Sequence, residues 1–427
     1  MNPNFALGSR NSSNDAGLFL PKKGSTVDNA TLSLFSSKNS RPRSPRFSRP
    51  NAKVGMNPKL CIVRNNVPKV VVGMSGGVDS SVAAALLKEG GYDVAGVTLR
   101  LWHAGDDRGR PGGCCSMDDI ADARRVCHHL GIRHYVLDFG SRFEETVVAD
   151  FVREYLRGHT PNPCIVCNQF IKFGLLMEKA QAMGFDLMAT GHYARIEKRG
   201  ETSVLAKAKD ALKDQSYVLY RLTSGQLERL IFPLGEYTKA EVRDIARRLA
   251  LPAAEKPESQ EICFVPDDYA SFLRAYLPDF DRKVRPGAIV DVNGAIVGKH
   301  KGLAFYTIGQ RKGLGLSSPE PLYVIALDPA KNEVVVGGKE KVYSSKMPVE
   351  TLSWAEGKTP ELPLKCMVKI RRMHKEASAL ISPAGAGVLV EFDKPQMAIT
   401  AGQSAVFYEN NHVLGGGIIS DKHTGKA

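Results

Sequence analysis

A chain of 427 residues, 43% hydrophobic and 24% charged, is long enough to bury a sizeable core and to divide into two or three domains. Its apolar runs are short, Val82 to Leu87 being typical of the longest, which excludes a membrane-spanning helix and any role that needs one. The formal charge of +13 suggests a polyanionic partner, but nine Lys and Arg against Asp15 and Asp28 put +7 of it in residues 1–55 and leave only +6 elsewhere, which suits a protein that grips one RNA through a few patches.

In chain order, residues 1–68 come first, rich in Ser, Asn, Pro and Arg with a cluster at Arg41, Arg43, Arg46 and Arg49, and their composition predicts disorder. This stretch reads as an organelle transit peptide (mitochondrion or plastid), as a basic tail that brushes RNA, or as sequence upstream of a start at Met56. Two acids, several prolines and no amphipathic period weigh against the first reading, so a cytoplasmic location is expected. From Val70 to about Thr190, short β-branched runs alternate with helical stretches. Strands are predicted at Val70–Val72, Val94–Leu99, His134–Phe139 and Asp186–Thr190, and helices at Ser80–Lys88, Met117–Leu130, Phe143–Tyr155 and Phe170–Met183. That order predicts an α/β class fold, a doubly wound parallel sheet. A further helix is predicted at Lys239–Leu249. After Pro286 the character turns to β, with Asn293-Gly294 marking a hairpin inside Ala288–Val297, and the alternating strands of Met367–Ser420 predict a C-terminal β-barrel.

The run Val70-Val71-Val72-Gly73-Met74-Ser75-Gly76-Gly77-Val78-Asp79-Ser80-Ser81 is a buried strand, a glycine turn and the polar start of a helix. Glycines let backbone amides approach an anion, and a helix N-terminus adds unpaired N–H groups and a positive dipole end, so polyphosphate suits this turn. The spacing is neither Walker A nor G-x-G-x-x-G. Ser-Gly-Gly-x-Asp-Ser after a strand resembles the PP-loop ATP pyrophosphatases, which adenylate a substrate oxygen and release pyrophosphate. That resemblance gives phosphate contacts to Ser75, Gly76, Gly77, Ser80 and Ser81 and a place near Mg2+ to Asp79, with Leu99 packing on adenine. The plain alternative is a strand-to-helix turn whose glycines merely avoid clashes.

Eight cysteines in so long a chain are too sparse for a disulfide scaffold and read as thiols of a reducing compartment. Pro161-Asn162-Pro163-Cys164-Ile165-Val166-Cys167-Asn168 sets a C-x-x-C on a Pro-constrained loop ahead of the helix expected near Phe170, where a helix N-terminus stabilises thiolate. A third thiol, Cys263, lies in Ser259-Gln260-Glu261-Ile262-Cys263-Phe264. A thioredoxin-like pair does not suit a domain that opens with a phosphate loop, and a structural zinc lacks a second ligand pair. Cys164, Cys167 and Cys263 with one open position suit an iron–sulfur cluster whose unique iron carries a sulfide. Cys127 reads as core, Cys61 and Cys366 as structural, and the adjacent Cys114-Cys115 as a weaker candidate.

From about Val70 onward the chain resembles the bacterial-type tRNA-specific 2-thiouridylases, through GMSGGVDSS, TPNPCIVCN with IKFG, ATGHYARI, KDQSYVLY, FPLGEYTKAEVR, KPESQEICF, FYTIGQRKGLG and AGQSAVFY in order. The resemblance implies that ATP adenylates O2 of a wobble uridine and that sulfur then displaces AMP. It makes Cys263 the persulfide carrier and Cys167 the nucleophile that forms a disulfide with it. It assigns ATP contacts to Gly73, Met74, Ser75, Gly76, Gly77, Val78, Asp79, Ser80, Leu99 and Gly191. Asn162, Pro163 and Cys164 would meet the target base, and His192, Lys213, Asp214, Gln215, Arg371, Arg372 and Gln403 the tRNA. It further implies a PP-loop domain over 69–265, a central tRNA-binding domain over 266–340 and a barrel over 341–427. Many relatives carry Asp where Cys164 stands, and a thiol there is the softer and stronger cluster ligand, so persulfide and cluster chemistry both stay open.

Cations interleaved with aromatics at Lys299–Tyr306, Arg311-Lys312 and Lys369–Lys375 fit RNA phosphate and base contacts, though strand Lys and Arg also simply face water. Arg371 and Arg372 adjoin on an expected strand, so only one should face RNA squarely. With no pyridoxal-phosphate lysine motif present, sulfur is expected from a separate cysteine desulfurase or sulfur-relay protein. Two other readings compete: a PP-loop ligase or amidotransferase, which would not need Cys167 and Cys263, and a non-catalytic RNA-binding protein with a relic nucleotide loop.

Overall fold

The structure is a computed structural model that describes residues 67–101, 117–257, 262–265 and 268–421; the basic N-terminal extension, Cys61 and Cys114-Cys115 lie outside them. The three valines of β1 (Lys69–Gly73) are buried because this strand is central, with a layer on each face. β2 (Asp93–Arg100), β3 (Arg133–Asp138), β4 (Leu187–Thr190) and a short β7 (Leu230–Ile231) run parallel to it in the order β3-β2-β1-β4-β7. Val70 and Val72 pack against α1 (Val78–Glu89), α2 (Met117–Leu130) and α5 (Lys239–Arg248), while Val71 faces the opposite layer, α3 (residues 140–156) and α4 (residues 163–182). This is the doubly wound α/β arrangement that the alternation predicts.

Two helices begin earlier than expected. α3 starts at Gly140 and contains a π-helical turn over Glu144–Val148. α4 starts at Pro163, not near Phe170, so the C-x-x-C is no loop: Cys164 and Cys167 occupy the first turns of a helix whose middle, Cys167–Leu175, is π-helical. Pro163 is the reason, since its fixed φ and missing N–H suit the first helical position behind Asn162.

The hairpin at Asn293-Gly294 joins β8 (Gly287–Val290) and β9 (Ile296–His300), with Gly294 at φ +83° and the Asp291 carboxylate accepting from Asn293 N and Ala295 N at 2.9 Å each. With β10 (Tyr323–Asp328) and β11 (Glu333–Gly337) it forms a four-stranded sheet around Ile289, Val324 and Val334. The C-terminal strands β12 (Tyr343–Trp354), β13 (Leu364–Lys369), β14 (Ala377–Ala384), β15 (Gly387–Met397), β16 (Ser404–Glu409) and β17 (His412–Ile419) pair in the order β12-β15-β14-β13-β16-β17, and Val349↔Ile419 closes the barrel. Alternate residues such as Val368, Ile381, Val390 and Phe407 fill its interior. A hairpin of the first domain, β5 (Arg195–Arg199) and β6 (Thr202–Ala206), joins the barrel sheet where Ala206 pairs with His412, so the two domains share one sheet.

Candidate active site

At the carboxyl edge of β1 the chain turns through Ser75-Gly76-Gly77 into α1, and the serines shape that turn. Ser80 Oγ accepts from Ser75 N (3.2 Å) and donates to Gly77 O (3.1 Å), while Ser81 Oγ donates to the same carbonyl at 2.8 Å. Gly76 sits at φ +73°, and a Cβ there would lie 2.5 Å from Asp119 O, so a side chain is excluded by conformation and by space. Gly191 carries a different constraint, because a Cβ there would stand 2.7 Å from Ser80 N, inside the backbone of the loop. The end of β4 thus presses directly on the start of α1.

Beside the turn lies a cavity of about 240 Å³. Of the residues singled out in the sequence, Gly73, Met74, Ser75, Asp79, Ser80, Leu99, Gly191, His192 and Gln215 line it. Gly76 and Gly77 shape the loop without lining the cavity, and Val78 is buried in the layer beneath. Lys172 and Leu176 of α4 form part of the wall, so the helix that starts with Cys164 and Cys167 also contributes a cation to the cavity.

Asp79 is held on both oxygens by Lys239 Nζ, at 2.7 and 2.8 Å, and accepts from Tyr193 Oη at 2.8 Å. His192 bonds through Nδ1 to Thr190 Oγ1 at 2.7 Å and stands against the rings of Phe173 and Phe232. Burial, and then the nearby Lys172 cation, push its pKa well below the ordinary value, so it presents a neutral imidazole. Gln215 clamps Tyr193 through its side chain and its backbone N–H, at 2.8 Å each.

Of the thiol segment, Asn162 is half-buried, Pro163 buried, Cys164 exposed and Cys167 buried. Cys263 is half-buried and packs against the same apolar cluster that holds Cys167, with Phe264 edge-on to Phe143 and Phe151. Among the described residues no three His, Cys, Asp or Glu side chains converge to hold a metal, so the three thiols as placed do not fit an iron–sulfur cluster.

The tRNA candidates divide. Asp214 is buried and its carboxylate accepts from Ala208 N (3.0 Å), Ser216 N (3.3 Å) and Ser216 Oγ (2.7 Å), which makes it an internal brace. Lys213 is half-buried next to it. Arg371 and Arg372 are both exposed on the turn that follows the end of β13 at Lys369, and Arg371 Nη1 donates to Met397 O at 3.1 Å. Gln403 Nε2 donates to Thr160 O at 2.8 Å and so props the segment that leads into Asn162. Sequence reading missed Lys172, Tyr193 and Lys239. The helix opening at Lys239 was expected, but nothing local in the sequence pairs that first residue with Asp79.

The parallel sheet, the phosphate-type loop at its carboxyl edge and the cavity beside it define an α/β nucleotide-binding enzyme joined to a β-barrel. Family models described as tRNA methyl transferase HUP domain, tRNA methyl transferase PRC-barrel domain and Aminomethyltransferase beta-barrel domain match residues 68–267, 270–338 and 344–419. A tRNA-specific 2-thiouridylase MnmA 1 of Syntrophus aciditrophicus is 50% identical over 83% of this chain and 93% of the relative. The MnmA of Heliobacterium modesticaldum is 51% identical over 82% and 92%. A solved 4-thiouridine synthetase–RNA complex with bound ATP aligns at 17% identity and TM-score 0.30 over 51% of this chain and 52% of that one, too distant to bear on function. The chain belongs to the tRNA-specific 2-thiouridylase family.

Proposed function

We propose that this protein is an ATP-dependent tRNA-uridine 2-sulfurtransferase, and that α4 couples its two half-reactions. The observation that carries this reading is that one helix holds Cys164 and Cys167 in its first turns and lines the nucleotide cavity with Lys172 in its middle. ATP phosphates lie along Ser75 to Ser80, and Asp79 would hold Mg2+, an ion that typically takes one or two carboxylates plus substrate phosphates, only by giving up the Lys239 ammonium that now occupies both of its oxygens. When bound, the ion neutralises phosphate charge.

The uridine O2 attacks the α-phosphorus and pyrophosphate leaves, with Lys172 placed to offset charge at the cavity wall. A cysteine desulfurase or relay protein loads Cys263 as a persulfide. The Cys167 thiolate attacks Cys263 Sγ, forming a Cys167–Cys263 disulfide and breaking the persulfide S–S bond. The hydrosulfide so released adds to C2 and AMP departs; an external thiol then reduces the disulfide. No step is assigned to an iron–sulfur cluster, since Cys164, Cys167 and Cys263 do not converge as ligands. Asn162, Pro163 and Cys164 flank the target base, and Arg371 and Arg372 contact tRNA phosphate.

The test is incubation with unmodified tRNA, ATP, cysteine and a desulfurase, followed by mass spectrometry of the digested RNA. One oxygen-to-sulfur exchange at a single uridine, with AMP and pyrophosphate formed in equal amount, is expected. AMP formation on a small-molecule acceptor with the RNA unchanged would select the ligase reading.

A further inference from the structure

The two most exposed large apolar side chains of the described residues are Leu212 and Met373, 79% and 76% exposed. An isolated exposed leucine is ordinary, but these two share a setting. Leu212 stands between Lys209, whose Nζ is held by Glu241 at 2.9 and 3.1 Å, and Lys213, and Met373 between Arg371-Arg372 and Lys375. Their loops belong to different domains and are tied to each other: Lys207 Nζ bonds both oxygens of Glu376, at 2.7 and 2.6 Å, and Lys369 Nζ lies 3.9 Å from Asp214.

Each tip is also rigidly mounted. The Asp210 carboxylate accepts from Leu212 N at 3.0 Å, Lys213 N at 3.2 Å and Lys239 N at 2.9 Å. His374 N donates to Arg371 O (3.0 Å) and its ring bonds Gln396 at 3.1 Å. Three residues beyond Leu212, Gln215 lines the nucleotide cavity, so this surface runs into the site.

We propose that Leu212 and Met373 are base-contacting wedges that pack against unpaired bases of the tRNA loop delivering the uridine. The inference rests on the tRNA-thiolation reading above. A uridine entering a cavity must leave its stack, and its neighbours then expose π-faces that apolar side chains can cover, while the flanking cations take the phosphates. An apolar protein partner would be poorly matched by a rim of Lys and Arg.

Leu212→Ala and Met373→Ala, assayed separately, should each raise KM for tRNA by about five- to tenfold. The kcat, the KM for ATP and the thermal midpoint should stay as in the parent, because neither side chain is packed inside. The salt dependence of tRNA binding should keep its slope, since no phosphate contact is removed, whereas Arg372→Ala should lower it. In Leu212→Trp the added indole fluorescence should be quenched by tRNA. Unchanged tRNA KM in both alanine variants together with no quenching overturns the proposal, as does a lowered salt slope in either. Absence of thiouridine from the parent enzyme would instead overturn the reading it rests on.

Discussion

Desolvation sets Cys127 and Cys366 apart from the chemistry. Cys127 lies among Ala123, Val126 and the valines of β1, and loss of solvation raises its pKa to about 11; Cys366, inside the barrel, is raised for the same reason to about 12. Both stay protonated at neutral pH and cannot act as nucleophiles. Cys167, itself buried, and the half-buried Cys263 share the cluster beside α4 and Phe264. Cys167→Ser and Cys263→Ser should therefore each cut thiolation by at least about a thousandfold, while tRNA-dependent ATP–pyrophosphate exchange survives, because adenylation precedes sulfur transfer. Cys366→Ala should keep thiolation within about twofold. Single-turnover thiolation set beside exchange separates the two steps, and loss of exchange in the serine variants would refute the order of events. At this scale the site was largely legible, since the glycines and serines of the phosphate loop are adjacent in sequence and their chemistry is local. Lys239 was not legible, because its partner Asp79 lies 160 positions away and only the packing of α5 beside α1 brings them together.

Among the elements, legibility followed burial. β1 and β2 are covered on both faces and carry the valines that mark a buried strand, β4 reads as a short apolar run, and α2 was predicted to its last residue. The β5–β6 hairpin escaped, because Arg195–Arg199 is a half-exposed edge whose Arg-Ile-Glu-Lys-Arg sequence carries no core signal. The start of α4 was misplaced because Pro163 was read as a loop constraint when it is equally the first residue of a helix. α5 offers a test at this scale. Thr238 Oγ1 accepts from Glu241 N at 3.3 Å and Glu241 returns a bond to Thr238 N at 2.6 Å, so the helix that presents Lys239 to Asp79 is capped from both sides. Thr238→Ala should cost about 1 kcal/mol and, by loosening the first turn, raise the KM for ATP roughly threefold with kcat little changed. Thr238→Ser should restore both. A fall in thermal midpoint without any change in KM would show that Lys239 does not depend on the cap.

At the scale of the whole described molecule, the barrel is seated on the catalytic domain by polar contacts grouped just ahead of the thiol helix. Thr160 N donates to Ala401 O at 2.9 Å, Gln403 reaches Thr160 O, and His159 bridges Glu154 Oε2 at 2.7 Å and Asp421 Oδ2 at 2.9 Å. With a carboxylate on each ring nitrogen, His159 must carry both protons. The bond to Asp421, then that to Glu154, raises its pKa from 6.5 to about 9 against the cost of burial. Arg153 and Arg157 also face Glu154, and the His159 bond holds that carboxyl below its usual range. A raised histidine pKa contributes stability that is complete below the unfolded value near 6.5 and disappears as pH rises through about 9. The thermal midpoint of His159→Gln should accordingly lie below that of the parent by a constant interval around pH 6, and the interval should shrink between about 6.5 and 9 and close above it. At strongly acid pH the interval should narrow again as Glu154 takes up its proton. An interval that stays constant from pH 6 to 10 would mean that packing, not the imidazolium, joins barrel to catalytic domain, and the segment leading into Asn162 would then depend on Gln403 and Thr160 alone.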